Sequence, residues 1–298
     1  MEHKNLQTLK SRFYKELAGY YPSEEVQSFF GLLAASILNY SRYETVMHAT
    51  EIISEAKQQK FHTIIERLKQ KEPIQYILGE TEFYGLPLKV TPATLIPRPE
   101  TEELVSWVID YVDERTTVTQ PLTILDVGTG SGCIAISLAK HIPISEVNAM
   151  DVSLEALEVA QQNATMNGVT VNFQEADVLK LTKLAKTYDV IVSNPPYVRE
   201  MEKERMEANV LSHEPHTALF VTDQDPLVFY RTIASLAKQF LKPQGKLFFE
   251  INEYLGEELT ILLEQMGFSE IILRKDLFGK DRMMRCEVSK TNSIVKHK

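Results

Sequence analysis

Cysteine is nearly missing: Cys133 and Cys286 are the two that 298 residues contain. That excludes a disulfide framework and the paired spacing of a structural metal site. Both are expected as small apolar residues in a reducing compartment, not as nucleophiles. A long apolar run is lacking too, since the stretch from Phe29 to Leu38 is too short to cross a bilayer. The N-terminus shows no charged-then-apolar secretory pattern. The chain is therefore expected to be soluble and cytoplasmic, with no membrane partner. A basic excess is also lacking. The formal net charge is −9, which works against direct binding of a nucleic acid backbone. There is no internal repeat and no low-complexity block.

What is present suffices for two cores, with 44% hydrophobic residues over 298 positions. Residues 1–80 carry ten basic and ten acidic side chains, so the whole net charge falls on residues 81–298. In the first part, apolar residues recur at helical spacing: Leu6, Leu9, Phe13, Leu17; Val26, Phe29, Phe30, Leu33, Ile37; Phe61, Ile64, Ile65, Leu68. These stripes read as the core of a small helical bundle. From Glu72 onward prolines and short alternating segments predict a linker, a β-hairpin turning near Gly85, and a rigid loop into a helix starting near Thr101. After Gln120 apolar strands alternate with helical stretches: Leu122 to Val127, Glu146 to Met150, Thr170 to Gln174, Asp189 to Ser193 and Gly245 to Ile251. This predicts an α/β fold, a parallel sheet with helices on both faces. A closing pair, Ser269 to Arg274 and Met283 to Val288, lacks a helix-length connection and is expected to be antiparallel. The chain thus divides into a helical domain over 1–75, a linker and hairpin over 76–96, an α/β domain over 97–290 and a loose tail over 291–298.

The stretch "LTILDVGTGSGCIAISLAKHI" is a strand, a glycine-rich turn and a helix in succession. Gly128, Gly130 and Gly132 permit a tight turn and a close approach of ligand to backbone. A dinucleotide site would place its third glycine at position 133, which is cysteine. The spacing, following the acidic Asp126, is instead that of S-adenosyl-L-methionine-dependent methyltransferases. Asp151 ends the next strand, 21 residues past Gly130, where a carboxylate accepts both ribose hydroxyls. Asp177 ends the third strand and is a candidate for the adenine edge, with Val178 beside the ring. Asp126 itself has two open roles, in the cofactor site or in orienting the glycine loop.

The fourth strand ends in "NPPY". Ligands of such sheets collect at the carboxyl ends of the strands, so Asn194 to Tyr197 lie where a methyl acceptor must be. A planar NH₂ group has a delocalised lone pair and is a poor nucleophile. Two acceptors, the Asn194 side-chain oxygen and the Pro195 carbonyl, would hold both hydrogens and leave the nitrogen pointing at the methyl group. Pro195 and Pro196 fix φ and hold those carbonyls in place beforehand. Tyr197 offers a flat face to a planar group. No general base is needed early, in keeping with the lack of an obvious catalytic histidine or cysteine.

With "DVGTGSG" and "NPPY", the segment "EPIQYILGETEFYGLPLKVTPATLIPRPETEELV" resembles the signature of the PrmC/HemK family of bacterial peptide chain release factor glutamine methyltransferases. "HEPHTAL" at His213 to Leu219 and "DLFGKDR" at Asp276 to Arg282 extend the resemblance along the chain. It implies a Rossmann-like class I methyltransferase with a seven-stranded, mainly parallel sheet. The N-terminal helical domain would engage the substrate, a class 1 release factor, whose Gly-Gly-Gln glutamine is the acceptor. By the same resemblance Gly128, Thr129, Gly130, Ser131, Gly132, Asp151 and Asn194 contact the cofactor, and Asn194, Pro195, Pro196 and Tyr197 hold the glutamine. "RPETE" at Arg98 to Glu102 separates this family from enzymes that modify a ribosomal-protein glutamine. In that segment Thr101 can cap the following helix, and Glu102 and Glu103 favour its positive end. Arg98 has two readings, a substrate contact or a structural ion pair. One departure follows "EPHTAL": the chain reads "FVTDQDPLVFY" where the family has a glycine-rich turn, and Pro226 fits the first turn of a helix. His213 and His216 lack further partners for a metal and are expected as solvated loop residues. Two rivals stand beside this reading: adenine-N6 methylation of DNA or RNA, which predicts a basic groove, and a non-catalytic protein that keeps the cofactor fold as a platform.

Overall fold

The computed structural model describes residues 5–114 and 121–289; the tail expected over 291–298 lies outside them. Two compact units emerge. The first runs to Glu80 and takes in Glu207–His213 as well. Its helices are α1 (Leu6–Leu17), α2 (Ser23–Leu33), α3 (Glu44–Met47), α4 (Glu55–Lys69) and α5 (Ile74–Leu78). Asn5 caps α1 by accepting the Thr8 N–H at 2.9 Å. The apolar stripes bury Phe13, Phe30 and Phe61 together, with Phe13 edge-on to Phe30 at 5.6 Å and to Phe61 at 6.3 Å. Inclusion of Glu207–His213 departs from the sequence reading, which left that segment in the α/β domain. His213 Nε2 donates to the Gln70 carbonyl at 3.2 Å within this unit.

The second unit opens with the hairpin β1 (Glu80–Phe83) and β2 (Leu86–Lys89), then α6 (Pro99–Asp113) and β3 (Leu122–Val127). Next come α7 (Cys133–His141), β4 (Ser145–Asp151), α8 (Leu154–Asn167), β5 (Asn172–Glu175) and β6 (Tyr188–Ser193). A two-residue strand β7 (Val198–Arg199) precedes α9 (Ala208–His213), which packs with the first unit, and β8 (Phe220–Val221) follows. The chain closes with α10 (Val228–Phe240), β9 (Leu241–Glu250), α11 (Gly256–Gln265), β10 (Phe268–Lys275) and β11 (Asp281–Val288). Seven strands form one sheet in the order β10-β11-β9-β6-β3-β4-β5. β5, β4, β3, β6 and β9 are mutually parallel, and β11 runs antiparallel to both β9 and β10. Two buried clusters cover opposite faces. One places Leu104, Val108, Ile136 and Leu138 against Ile124 and Val190, and the other places Tyr230, Ile233 and Leu259 against Ile191 and Phe249. Alternate residues of each strand feed alternate faces.

Some boundaries differ from expectation. Helix α6 begins at Pro99 with Arg98 as its N-cap residue, ahead of Thr101. Proline at the first helical position has no N–H to leave unsatisfied, which favours the earlier start. Strand β9 begins at Leu241, before the expected Gly245. Pro226 lies just before Leu227, the N-cap residue of α10, instead of within the first turn. Asp225 holds that corner by accepting two hydrogen bonds from the Arg231 guanidinium.

The hairpin is tied to the sheet by buried asparagines on α8. Asn163, fully buried, accepts the Lys89 N–H at 2.7 Å and donates to the Lys89 and Ser131 carbonyls, each at 2.9 Å. Asn167 donates to the Pro87 carbonyl at 2.9 Å. One side chain thus fixes both the hairpin and the glycine turn. Asn163→Ala strands a buried N–H and two carbonyls, and should cost about 2–3 kcal/mol of stability in urea denaturation. A loss below about 0.5 kcal/mol, the range of an unconnected surface site, would refute this role.

Candidate active site

The ends of β3, β4 and β6 meet in register: Val127 pairs with Met150 on one side and Ser193 on the other. The Ser193 hydroxyl donates to the Val127 carbonyl at 2.6 Å, locking β6 to β3 at that edge. The glycine turn springs from this point. The Met150 carbonyl accepts the Gly128 and Thr129 N–H groups at 2.9 and 3.0 Å, and Asp151 Oδ2 accepts the Gly130 N–H at 2.8 Å. Asp151 Oδ1 accepts the Ser153 N–H at 2.9 Å, so each carboxylate oxygen keeps one free lone-pair site. Gly132 has φ +83°, and a Cβ there would stand 2.8 Å from Ile136 Cδ1 and 3.1 Å from the Ala160 Cβ. Its role is close packing of α7 on α8, the part a third glycine plays in such turns.

Asp126 lies beneath the turn with no exposure; its Oδ2 accepts the Thr129 hydroxyl at 2.6 Å, while Oδ1 is buried without a hydrogen-bond partner. Burial pushes its carboxyl up to about 7, against the pull of the Thr129 hydroxyl. Both cysteines are free, and burial pushes each thiol up to about 12, far from a reactive thiolate.

A cavity of about 390 Å³ opens over these strand ends. It brings together Gly128, Gly130, Asp151, Asp177, Val178, Asn194, Pro195 and Pro196 from the predicted set. Thr129, Ser131, Gly132 and Tyr197 do not line it. Thr129 and Ser131 point into the fold, buried to 4% and 2% exposure. Asp177 is engaged locally, accepting the Leu179 N–H at 3.0 Å and pairing with Lys180 at 2.9 Å, which holds its carboxyl below the usual range.

The loop after β6 rests on a buried carboxylate that the sequence reading did not single out. Glu250, at 1% exposure, accepts the Thr101 hydroxyl at Oε2 (2.6 Å) and the Tyr197 hydroxyl at Oε1 (3.0 Å). Asn194 Nδ2 donates to Thr101 Oγ1 at 3.2 Å. Thr101 therefore does not cap α6; its buried hydroxyl bridges Glu250 and Asn194. Tyr197, expected as a flat face for the acceptor, is partly buried against the cluster that holds Tyr230, with its hydroxyl donating to Glu250. Desolvation raises the Glu250 carboxyl, opposed by the two hydroxyls and the Arg282 charge. Asn252 closes the other side of the loop, donating to the Tyr197 carbonyl at 3.0 Å and to Glu202 at 2.9 Å.

Arg98 takes the structural role, pairing with Glu214, whose other oxygen accepts the Ile96 N–H at 3.2 Å. Glu102 lies in the first turn of α6, as expected, and also accepts the Tyr84 N–H at 2.7 Å, while Glu103 accepts the Leu277 N–H at 3.2 Å. Sequence reasoning gave no cavity role to Ala93, Thr94 and Leu95, to Pro215, Thr217 and Ala218, or to Phe229 and Ile233 on α10. The two loop segments fall in stretches that carry the family resemblance, but their residue types carry no chemical signal of a cavity wall. His216 packs edge-on to Phe220 at 5.2 Å. Among the described residues no group of three histidine, cysteine or acidic side chains could hold a metal.

The cavity falls within the usual size of small-molecule sites. Asp151 offers free acceptors to a diol, and Met150, Val178 and Ile233 give an apolar wall for a flat ring. S-adenosyl-L-methionine carries a ribose diol, an adenine and a cationic end, and the residues present fit it. Fold and site together define a class I S-adenosylmethionine-dependent methyltransferase.

Residues 11–79 match the PrmC N-terminal domain, and residues 114–223 match the Methyltransferase small domain. The release factor glutamine methyltransferase of Flavobacterium psychrophilum is 46% identical over 94% of this chain and 98% of its own. That of Bacteroides thetaiotaomicron is 45% identical over 91% and 95%. Among solved structures, the hMettl16 catalytic domain bound to a MAT2A 3'UTR hairpin covers 80% of this chain and 83% of its own at TM-score 0.55. At 15% identity that likeness is one of fold alone. The chain belongs to the family of release factor glutamine methyltransferases.

The Asp126 environment predicts a pH signature. Its carboxyl is raised from an ordinary 3.8 to about 7 in the folded chain, so between those values the native state binds the proton more tightly than the unfolded state. Stability from this group is greatest in acid and is lost as pH rises through about 7. Asp126→Asn removes the titration. Its stability relative to the parent should climb from pH 4 to 7, by up to about 1.4 kcal/mol per unit, and level off above. A pH-independent difference in chemical denaturation would contradict this.

Proposed function

We propose that the protein transfers a methyl group from S-adenosylmethionine to the side-chain amide nitrogen of the glutamine in the Gly-Gly-Gln loop of class 1 peptide chain release factors. Its family membership supports the acceptor class. The observation that carries the chemistry is that Asn194 and Pro195 line the same cavity as the glycine turn and Asp151. S-adenosylmethionine, when bound, supplies an electrophilic methyl group on a positively charged sulfur.

The rest falls to this chain's own residues. Asn194 Nδ2 is engaged with Thr101, which leaves its Oδ1 to accept one amide hydrogen, and the Pro195 carbonyl accepts the other. Held at both hydrogens, the acceptor nitrogen presents its lone pair in one direction, a gain of orientation before reaction. As the nitrogen gains positive charge its N–H groups become stronger donors. Both acceptors then bind the transition state more tightly than the ground state. The proton leaves afterwards, so no buried base is required. Backbone rigidity comes from Pro195 and Pro196, with the Tyr197 carbonyl fixed by Asn252.

The helical unit is assigned to recognition of the release factor; the expected linker start at residue 76 falls inside α5 (Ile74–Leu78), so the hairpin and its following loop are confined to residues 80–96. The protein would act in the cytoplasm, where its substrate works. Adenine-N6 methylation is the less favoured reading, because the entire net charge of −9 falls on the residues of the methyltransferase part.

Transfer of labelled methyl to a purified release factor tests the proposal, beside a factor whose loop glutamine is alanine and beside DNA. Label is expected on the intact factor alone; label on DNA would return the reading to the adenine enzymes. Asn194→Ala should lower turnover at least about 100-fold with an unchanged melting profile. Near-parental turnover would sink the two-acceptor mechanism.

A further inference from the structure

We propose that Thr101 and Glu250 are positioning residues that decide which end of the Asn194 amide faces the acceptor. The inference rests on the reading above, in which Asn194 Oδ1 accepts from the substrate amide, and extends it to residues outside the "NPPY" motif. An asparagine amide has two ends of nearly equal shape and opposite hydrogen-bonding character. Rotation by half a turn would present two donors to the substrate where one acceptor is needed. Something in the fold must therefore select the orientation.

The polarity is set from Glu250 outward. Both Glu250 oxygens accept, from the Thr101 hydroxyl at 2.6 Å and the Tyr197 hydroxyl at 3.0 Å, and the Arg282 charge opposes the burial that raises the carboxyl, so in its ionised form Glu250 has no hydrogen of its own to donate. Threonine has one hydroxyl hydrogen. Because that hydrogen goes to Glu250, Thr101 Oγ1 meets Asn194 only as an acceptor, and the matching end of the amide is Nδ2, at 3.2 Å. The flipped amide would set oxygen against oxygen.

The anchor itself is fixed. Glu250 ends β9, where it pairs with Met283 of β11, and its backbone carbonyl accepts the Tyr230 hydroxyl at 3.1 Å. Thr101 sits in the first turn of α6, its N–H bonded to the Arg98 carbonyl at 3.0 Å. Both residues are about 2% exposed or less, so water does not compete for these bonds. The threonine thus serves orientation more than helix stability.

Four variants test this: Thr101→Val, Thr101→Ser, Glu250→Gln and, as the reference, Asn194→Ala. Each is assayed for kcat, for KM toward the release factor, for S-adenosylhomocysteine affinity by calorimetry, and for melting temperature. Thr101→Val keeps shape without the hydroxyl, and should lower kcat about 10- to 100-fold, the scale of a misplaced reacting group. KM and cofactor affinity should change less than about 3-fold, since the lost contact acts through orientation alone. Thr101→Ser restores the hydroxyl and should recover most of that turnover. Glu250→Gln, able to donate toward Thr101, should resemble Thr101→Val, and combining Thr101→Val with Glu250→Gln in one chain should be no worse than the poorer single, because both act through one amide.

Parental kcat in Thr101→Val, or equal losses in Thr101→Val and Thr101→Ser, would overturn the proposal. If Glu250→Gln fails to fold, the comparison of valine with serine at position 101 still decides it. Parental turnover in Asn194→Ala would instead overturn the underlying reading. Loss there with full activity in Thr101→Val would overturn this inference alone.

Discussion

The Met150 carbonyl and the Asp151 carboxylate, adjacent at the end of β4, hold three consecutive N–H groups of the glycine turn: Gly128, Thr129 and Gly130. Everything else in the site is placed relative to that clasp. It brings the turn across from β3 toward β4, so that the carboxylate suited to a ribose diol and the loop suited to close approach share one wall. The Ser193 hydroxyl, bonded to Val127, adds the third strand end and sets where "NPPY" begins. A parallel sheet makes this possible, because every strand delivers its last residue to the same edge.

That edge is also where the fold buries polar groups. Asp126, Glu214, Glu250, Asn252 and Asp276 are all under 9% exposed, among strands that are otherwise apolar. Carboxylates in such surroundings are costly unless partnered, and those bonded to hydroxyls or cations here fix loops instead of adding stability. Glu214 holds the loop carrying Ile96 and Arg98. Asp276 organises the turn between β10 and β11 by accepting the Phe278 and Lys280 N–H groups and pairing with Arg282. Rigidity at the acceptor end is thus obtained with hydrogen bonds, while the faces of the sheet supply the hydrophobic stabilisation.

Residues whose roles depend on neighbours in the chain were legible. The glycine turn, Asp151 and "NPPY" each combine a strand end with a loop, and their spacing carries the geometry. Thr101 was not legible, because a threonine near a helix start satisfies the capping rule equally well. Glu250 carried no signal either, as an acid closing an apolar strand reads as the return to solvent. Arg98 remained open between two roles until Glu214, 116 residues away, met it. The Tyr197 hydroxyl bonds to Glu250, a partner that no local pattern announces.

By itself the sequence determined the α/β class, the helical first part, the glycine turn after β3 and the place of "NPPY" at the end of a strand, because periodicity and backbone restriction act over a few residues. Tertiary structure alone decided the inclusion of Glu207–His213 in the first unit, the walls of the cavity and the Asn194-Thr101-Glu250 relay. Those depend on which strand ends lie side by side and which hydroxyl reaches which carboxylate. Such pairings join residues as far apart as 149 positions, as in Thr101 and Glu250, and packing of the sheet, not any local preference, brings them together.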